Sequence, residues 1–290
     1  VRATETAYKV LPWNGCKAAI SLTYDDGDPI HLDLVIPEMK RRGIRGTFFL
    51  IADKIQRIDE WKKAAKSGME IGNHSSGHRR ASELTPEDEI FEVDHAADFL
   101  REQFKQQVQV FAYPFSEISD GLRARVENNS IAARGGGWGD RLYIPEYEPD
   151  WHDIRCVATM TDLKFEDYKG WIDQAMAAGA WTVFMIHAIE GSDWWQPVPK
   201  KTYIKTLDYL AKNKGTLWVA PMGEVAAYWK AQKIVENADI KFQNDAVEVS
   251  WNKPAPFPAG ITLKIAVDTG DPVIIQNGNT ITASTPGVYE

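Results

Sequence analysis

Short apolar runs alternate with stretches of helical period along most of this chain. Residues 18–24 (Ala-Ala-Ile-Ser-Leu-Thr-Tyr) form an apolar run that ends at Asp25, as a buried strand does. Over 30–42, Ile30, Leu34, Val35 and Met39 recur at helical spacing, and Gly43 marks the stop. A second strand is predicted over 45–51, a helix over 58–67 ahead of Gly68, and a short strand over 69–71. Thr85-Pro86-Glu87-Asp88 reads as a helix start, with an N-cap Thr, Pro at the first helical position and an acid placed to close a capping box. That helix is expected to reach about Gln106. Further strands are predicted at 108–112, 130–133, 154–160, 181–186 and 216–219. Further helices are predicted at 119–129, 165–178 and 199–213, and from Met222 to about Lys233. A loop rich in Gly, Trp and Pro is expected over 135–151. Strands alternating with helices over more than 200 residues predict a parallel, barrel-like α/β domain.

The pattern changes after about residue 235. Val247–Trp251 and Ile261–Val267 alternate with period two, Val273–Ile275 and Thr280–Ala283 are short β-type runs, and Pro and Gly separate them. We therefore expect a catalytic-sized domain over 1–234 and a small all-β appendage over 235–290, near the lower size limit for independent folding.

Composition narrows the classes of function. At 290 residues and 44% hydrophobic, the chain can bury a sizeable core. Its formal charge is -8 and it has no basic run, which argues against a nucleic-acid partner, and no stretch has the length of a membrane span. The sequence begins at Val1 without a signal peptide, which suggests a processed form. Cys16 and Cys156 are either one disulfide or two buried thiols, with the thiol reading slightly ahead. Eleven Trp, ten Tyr and eleven Phe supply core rings, with some to spare for stacking on sugars.

Two segments carry chemistry. Leu22-Thr23-Tyr24-Asp25-Asp26-Gly27 puts adjacent carboxylates at a strand end, where barrels build their sites, and successive side chains there point different ways. Asn73-His74-Ser75-Ser76-Gly77-His78 offers imidazoles four positions apart. Asp-Asp-Gly is also a common turn, and the histidine spacing suits a loop as well as a helix. Together the segments can supply a two-His, one-carboxylate metal site with a carboxylate left over as a base, which suits metal-assisted hydrolysis.

These residues resemble the polysaccharide deacetylases, carbohydrate esterase family four. Thr23-Tyr24-Asp25-Asp26-Gly27 is similar to the family's first motif, and His74-Ser75-Ser76-Gly77-His78 to its second. Arg45-Gly46-Thr47-Phe48-Phe49-Leu50 resembles the strand between them. The resemblance covers roughly 15–230 and implies a distorted (β/α) barrel with the β appendage outside it. It implies Asp25 as general base and Asp26, His74 and His78 as ligands of one divalent metal, most often zinc, with cobalt, nickel or manganese as substitutes. The third motif, Arg-x-Pro-aromatic, is met by Ala112-Tyr113-Pro114-Phe115, so the arginine is missing. The resemblance assigns the Phe115 backbone N–H to an oxyanion and leaves the base-orienting role open, for which Arg134 is the candidate. Asp150-Trp151 is a loose match to the fourth motif, with Asp153 close behind. Val183-Phe184-Met185-Ile186-His187 matches the fifth and implies His187 as general acid.

The implied reaction is hydrolysis of acetyl groups on a carbohydrate polymer, as an acetylxylan esterase or an N-acetylglucosamine-polymer deacetylase. Acetylated polysaccharides or oligosaccharides would be its partners, with Tyr113, Trp138, Trp151 and Trp194 as candidate contacts and Trp195 beside the last. A secreted or periplasmic location follows; the oligomeric state stays open. The alternatives are an amidohydrolase acting on a small non-sugar amide and a non-catalytic carbohydrate-binding relative.

Overall fold

A computed structural model describes residues 8–138, 142–243, 246–252, 260–267, 273–285 and 287–290. They divide into two compact units: Lys17–Ala226, and the described parts of Val1–Cys16 with Ala227–Glu290.

The larger unit is built around a closed ring of seven parallel strands. These are β1 (Ala18–Tyr24), β2 (Thr47–Leu50), β3 (Glu70–Asn73), β4 (Val110–Ala112), β5 (Ala132–Trp138), β6 (Ile154–Ala158) and β7 (Trp181–Ile186). They pair in chain order, and β7 closes the ring on β1 from Ala19↔Trp181 to Tyr24↔Ile186. A further strand, β8 (Leu217–Val219), pairs with the first half of β1, whereas β2 pairs with its second half at Thr23 and Tyr24. Every residue of β1 is buried, which explains its unbroken apolar reading. Its Ser and Thr hydroxyls are satisfied by backbone carbonyls: Ser21 Oγ donates to that of Ala220 at 2.9 Å and Thr23 Oγ1 to that of Phe184 at 2.7 Å. Tyr24 stacks on Phe48 at 4.8 Å, and Phe48 meets Trp61 at 5.4 Å, in the core between ring and helices.

The helices follow the sequence signals with one recurrent irregularity. α1 (Ile36–Arg41) is entered through a π-helical turn, His31–Val35. α2 (Ile58–Lys66) comes next. The capping box forms as expected, with Asp88 N donating to Thr85 Oγ1 at 3.2 Å and Thr85 N to Asp88 Oδ2 at 3.0 Å. It opens α3 (Pro86–Ile90), which passes through a second π turn, Phe91–His95, into α4 (Ala96–Phe104). α5 (Asp120–Asn129), α6 (Phe165–Ala178), α7 (Lys200–Lys212) and α8 (Met222–Glu236) complete the series. The loop expected from 135 starts later, because β5 runs on to Trp138. Gly135, Gly136 and Gly137 lie in a register shift between the β5–β6 partners Arg134↔Ile154 and Trp138↔Cys156, an irregularity of the kind where glycine recurs. Glycine is needed at 135, where a Cβ would fall 1.9 Å from Asp153 Oδ1.

The second unit contains short strands. Lys9–Val10 pairs antiparallel with Ile265–Ala266, so a strand from the start of the described chain joins one beyond residue 234, a pairing that a division at residue 234 does not anticipate. Ile274–Gln276 and Asn279–Ile281 form a hairpin through Asn277-Gly278, both at positive φ, as an Asn-Gly hairpin turn requires. The two cysteines are free thiols.

At the N-terminal end of the ring, Glu70 closes the start of α8. Its Oε2 accepts from Thr47 Oγ1 at 2.7 Å and from Gly223 N at 3.0 Å, while Met222 N donates to Thr47 Oγ1 at 2.8 Å. Burial pushes the Glu70 carboxyl up to about 7 against the pull of these donors. Between the ordinary glutamate range and 7, the folded protein therefore holds a proton that the unfolded chain has lost. This contribution to stability is present at acid pH and lost as pH rises through about 7. Urea unfolding at pH 5 and pH 8 should show Glu70→Gln without the wild type's decline from this group, a difference of up to about 1.4 kcal/mol per pH unit. Equal slopes in the two proteins would show that Glu70 does not titrate there.

Candidate active site

The C-terminal ends of the ring strands bring the two chemical segments together. After β1, the backbone of Asp26 and Gly27 turns left-handed, with φ +71° and +72°. This turn sends the neighbouring carboxylates to different partners. Asp25 is buried at the ring's end, with its N–H on the Ile186 carbonyl at 3.0 Å. Its Oδ2 lies 3.6 Å from His187 Nε2 and 4.0 Å from His74 Nε2. Asp26 turns to the imidazoles: its Oδ1 is 3.4 Å from His74 Nε2 and 3.5 Å from His78 Nε2.

The His74–His78 segment is a loop, and groups from elsewhere set its shape. Asn73 Oδ1 accepts from Ser75 N at 2.9 Å, Asn73 Nδ2 donates to the Val93 carbonyl at 3.0 Å, and Ser75 Oγ accepts from His78 N at 2.9 Å. From the π turn ahead of α4, buried Glu92 takes Gly77 N on Oε2 at 2.8 Å and Ser76 N on its carbonyl at 3.1 Å. Ser75 and His78 stand at positive φ, a cost that these bonds offset. Neither Glu92 nor Asn73 was a candidate from sequence. The available signal was an acid among the apolar positions Val93, Ala96 and Leu100 of a helix.

His74 Nδ1 contacts the Ala112 carbonyl at 2.8 Å, so it carries the hydrogen and leaves Nε2 as an acceptor facing Asp26. A neutral imidazole lone pair against a carboxylate oxygen is unfavourable unless a cation or proton sits between them. Burial would push the His74 pKa down, but Asp26 and Asp25 pull it up. Burial, with His74 beside it, pushes His78 down to about 4, so its ring is neutral at neutral pH. The Asp26 carboxylate is held well below the usual range by His74 and Trp194 in spite of its burial. The ligand atoms of Asp26, His74 and His78 all lie within 4.8 Å of one another. An ionised carboxylate with two imidazoles is a donor set that a divalent metal such as zinc accepts.

Arg134 reaches Asp25 from the strand beside Ala112. Ala112 on β4 and Arg134 on β5 are direct register partners, so the guanidinium enters from the adjacent strand. Its Nη2 donates to Asp25 Oδ2, its Nη1 reaches Cys156 Sγ at 3.8 Å, and its Cζ lies 5.3 Å from the Phe49 ring centre. Burial disfavours the charged guanidinium, but Asp25 more than restores it.

The other candidates are placed as follows. Phe115 follows β4 at φ +56°, with its exposed ring 4.6 Å from that of His78. His187 follows β7; burial lowers its pKa against the pull of Asp25 and Asp26. Behind it, buried His31 contacts the His187 carbonyl through Nε2 at 2.8 Å. Trp194 donates its indole N–H to Asp26 Oδ2 at 2.8 Å, and Trp195 sets its ring edge-to-face on His187 at 4.6 Å. The aromatic contacts expected at Tyr113 and Trp151 are corrected. Tyr113 is 3% exposed, packed among Phe111, Leu122 and Val126, and Trp151 is buried with its Nε1 on Glu148 at 2.7 Å. A ring closed off from solvent offers no face to a sugar. Asp150 binds Arg123 through both oxygens, at 2.9 and 2.7 Å, on the surface. The side chain of Trp138 lies outside the described residues.

Residues 14–133 match a family model described as polysaccharide deacetylase. The peptidoglycan-N-acetylmuramic acid deacetylase PdaC of Bacillus subtilis is 26% identical over 110 residues, 37% of this chain and 24% of that protein. The peptidoglycan-N-acetylglucosamine deacetylase of Bacillus cereus is 30% identical over 105 residues, 36% of this chain and 49% of that protein. The chain thus spans less than half the length of these curated relatives. Among solved structures, one from Mycobacterium smegmatis assigned to the polysaccharide deacetylases superposes with a TM-score of 0.60 at 15% identity, covering 79% of this chain and 96% of that one. The Xyl-CE4 domain of a multidomain xylanase from the hindgut metagenome of Trinervitermes trinervoides gives 0.50 at 16%, covering 75% and 92%. At these identities the structures establish the shared fold.

The Asp25–Arg134 pair makes a stability prediction independent of any activity. Arg134→Met strands a buried carboxylate and should cost about 3–5 kcal/mol in urea unfolding. Adding Asp25→Asn should recover most of that loss; a double variant no more stable than Arg134→Met would show that the two groups are not coupled.

Proposed function

Because the chain belongs to the polysaccharide deacetylase family, we propose that it hydrolyses acetyl groups from a carbohydrate polymer. One observation carries this reading. The Asp25 carboxylate lies between a potential metal-ligand set and an imidazole, 4.0 Å from His74 and 3.6 Å from His187, and Arg134 holds it from behind. A water and an acyl carbon placed there would have a base on one side and an acid on the other.

Asp26, His74 and His78 would hold a divalent metal, zinc in our reading, which would supply Lewis acidity toward the acyl oxygen and toward the attacking water. Asp25 accepts the proton of that water. Arg134 positions that carboxylate from the adjacent strand. The Phe115 backbone N–H donates to the oxyanion that develops on the acetyl carbonyl. His187 protonates the departing sugar oxygen or nitrogen as the acyl bond breaks. An alkoxide leaves more readily than an amide nitrogen, so an N-acetyl substrate leans harder on His187 than an O-acetyl ester.

Two features support a sugar polymer over a small amide. Trp194 and Trp195 are half-exposed beside Asp26 and His187, which suits stacking on pyranose rings. PdaC and the Bacillus cereus relative are named for peptidoglycan sugars, and chitin deacetylase 1 of Cryptococcus neoformans is a further relative, 26% identical over 104 residues. A non-catalytic relative was favoured only by Ala112, and an arginine on the neighbouring strand removes that support. Such a polymer places the enzyme outside the cytoplasm, and no helix among the described residues is long and apolar enough to cross a membrane.

Acetate release from acetylated xylan and from chito-oligosaccharides tests the proposal. Release should stop with chelator and return with added zinc. No release from any acetylated sugar by metal-loaded protein would refute it. Asp25→Asn should lower kcat by about 10²–10⁴-fold while retaining metal, whereas His78→Ala should lose both metal and turnover. Unchanged metal content in the His78 variant would overturn the ligand assignment.

A further inference from the structure

Asp26 has two carboxylate oxygens, and they have different company. Oδ1 faces both imidazoles, at 3.4 and 3.5 Å. Oδ2 accepts the indole N–H of Trp194 at 2.8 Å. The indole comes from the segment after β7, more than 160 residues away in sequence, and a chain of bonds holds it there. Trp194 N donates to Ser192 Oγ at 3.0 Å, and Ser192 Oγ donates to Asp28 Oδ2 at 2.7 Å, so the segment is strapped to the Asp25–Asp26 turn. The parallel pair Ala188–Ile189 and Pro197–Val198 closes its base. The Trp194 ring is 50% exposed.

We propose that Trp194 is a positioning residue for the metal ligand Asp26. Its N–H takes Oδ2 and commits Oδ1 alone to the ion that the two imidazoles share. The indole is suited to this because it is a donor only and cannot compete as a ligand. Bonds of this kind fix the direction of a ligating carboxylate, and their loss weakens metal binding about 10–100-fold. The same side chain serves the sugar through its exposed face, so a single residue joins ligand geometry to substrate stacking. The inference rests on the metal site proposed above and extends it to a residue outside that site's own three.

Substitution separates the two roles of Trp194. Trp194→Phe keeps an aromatic face and removes the N–H; Trp195→Ala removes a neighbouring ring without touching Asp26. Zinc affinity is read by competition with a chromophoric chelator, and the visible absorption of the cobalt-loaded protein reports ligand geometry. We expect Trp194→Phe to bind zinc about 10–100-fold more weakly and to shift the cobalt bands. At saturating zinc, its KM for a chito-oligosaccharide should change less than about twofold, since the ring remains. Trp195→Ala should raise that KM with zinc affinity unchanged. Trp194→Phe with wild-type zinc affinity and wild-type cobalt bands overturns the role of the N–H while leaving the deacetylase reading intact. A wild-type protein that binds no zinc or cobalt overturns the metal site and this inference with it.

Discussion

The buried ion pair between Asp25 and Arg134 is the interaction on which the site depends. Two charges at the closed end of an apolar ring are costly to desolvate, and each is tolerable only beside the other. The ring meets this demand by geometry. β1 ends one residue before Asp25, β5 carries Arg134 at the register position opposite Ala112, and Phe49 and Cys156 pack around the guanidinium. The small residue at 112 and the arginine at 134 are two halves of one arrangement. The pair thus fixes the orientation of a carboxylate where water is scarce.

Around this pair, the backbone takes up conformations that side chains seldom adopt. Asp26, Ser75, His78, Phe115 and Ser116 all have positive φ. Strain of this kind persists only where the surroundings over-determine it. Here Asn73, Ser75 and Glu92 hold the histidine loop, while the ladder bond from Asp25 N to Ile186 anchors the carboxylate turn. The π turn at Phe91–His95 carries Glu92 and Val93, both of which bond that loop. A helical irregularity and a strained loop are therefore parts of a single structure.

The ring itself was legible from local pattern. β1 and β7 read as apolar runs because both faces are buried, and the capping box at Thr85 announced its helix because that signal needs only four consecutive residues. β5 was legible only in part. Its first residues are apolar, but Gly135, Gly136 and Gly137 have no preference for strand, and the register shift they fill against β6 and the Asp153 side chain at Gly135 belong to the tertiary structure. The aromatic residues were the least legible. Tyr113, Trp151, Trp194 and Trp195 are alike as letters, and burial alone separates the first two from the second two.

By itself, the sequence determined the alternation of strands and helices, the two motif segments and the chemical identity of Asp25, Asp26, His74, His78 and His187. These are properties of residue type and short-range spacing, which the chain carries before it folds. Only the tertiary structure decided which oxygen of Asp26 faces the imidazoles, that Arg134 meets Asp25, that Glu92 shapes the histidine loop and that Trp194 reaches the Asp26 carboxylate. Those pairings join residues from 15 to 168 positions apart. They arise from strand register and ring closure, and a side chain's partner across a closed sheet is a matter of geometry that no local spacing encodes.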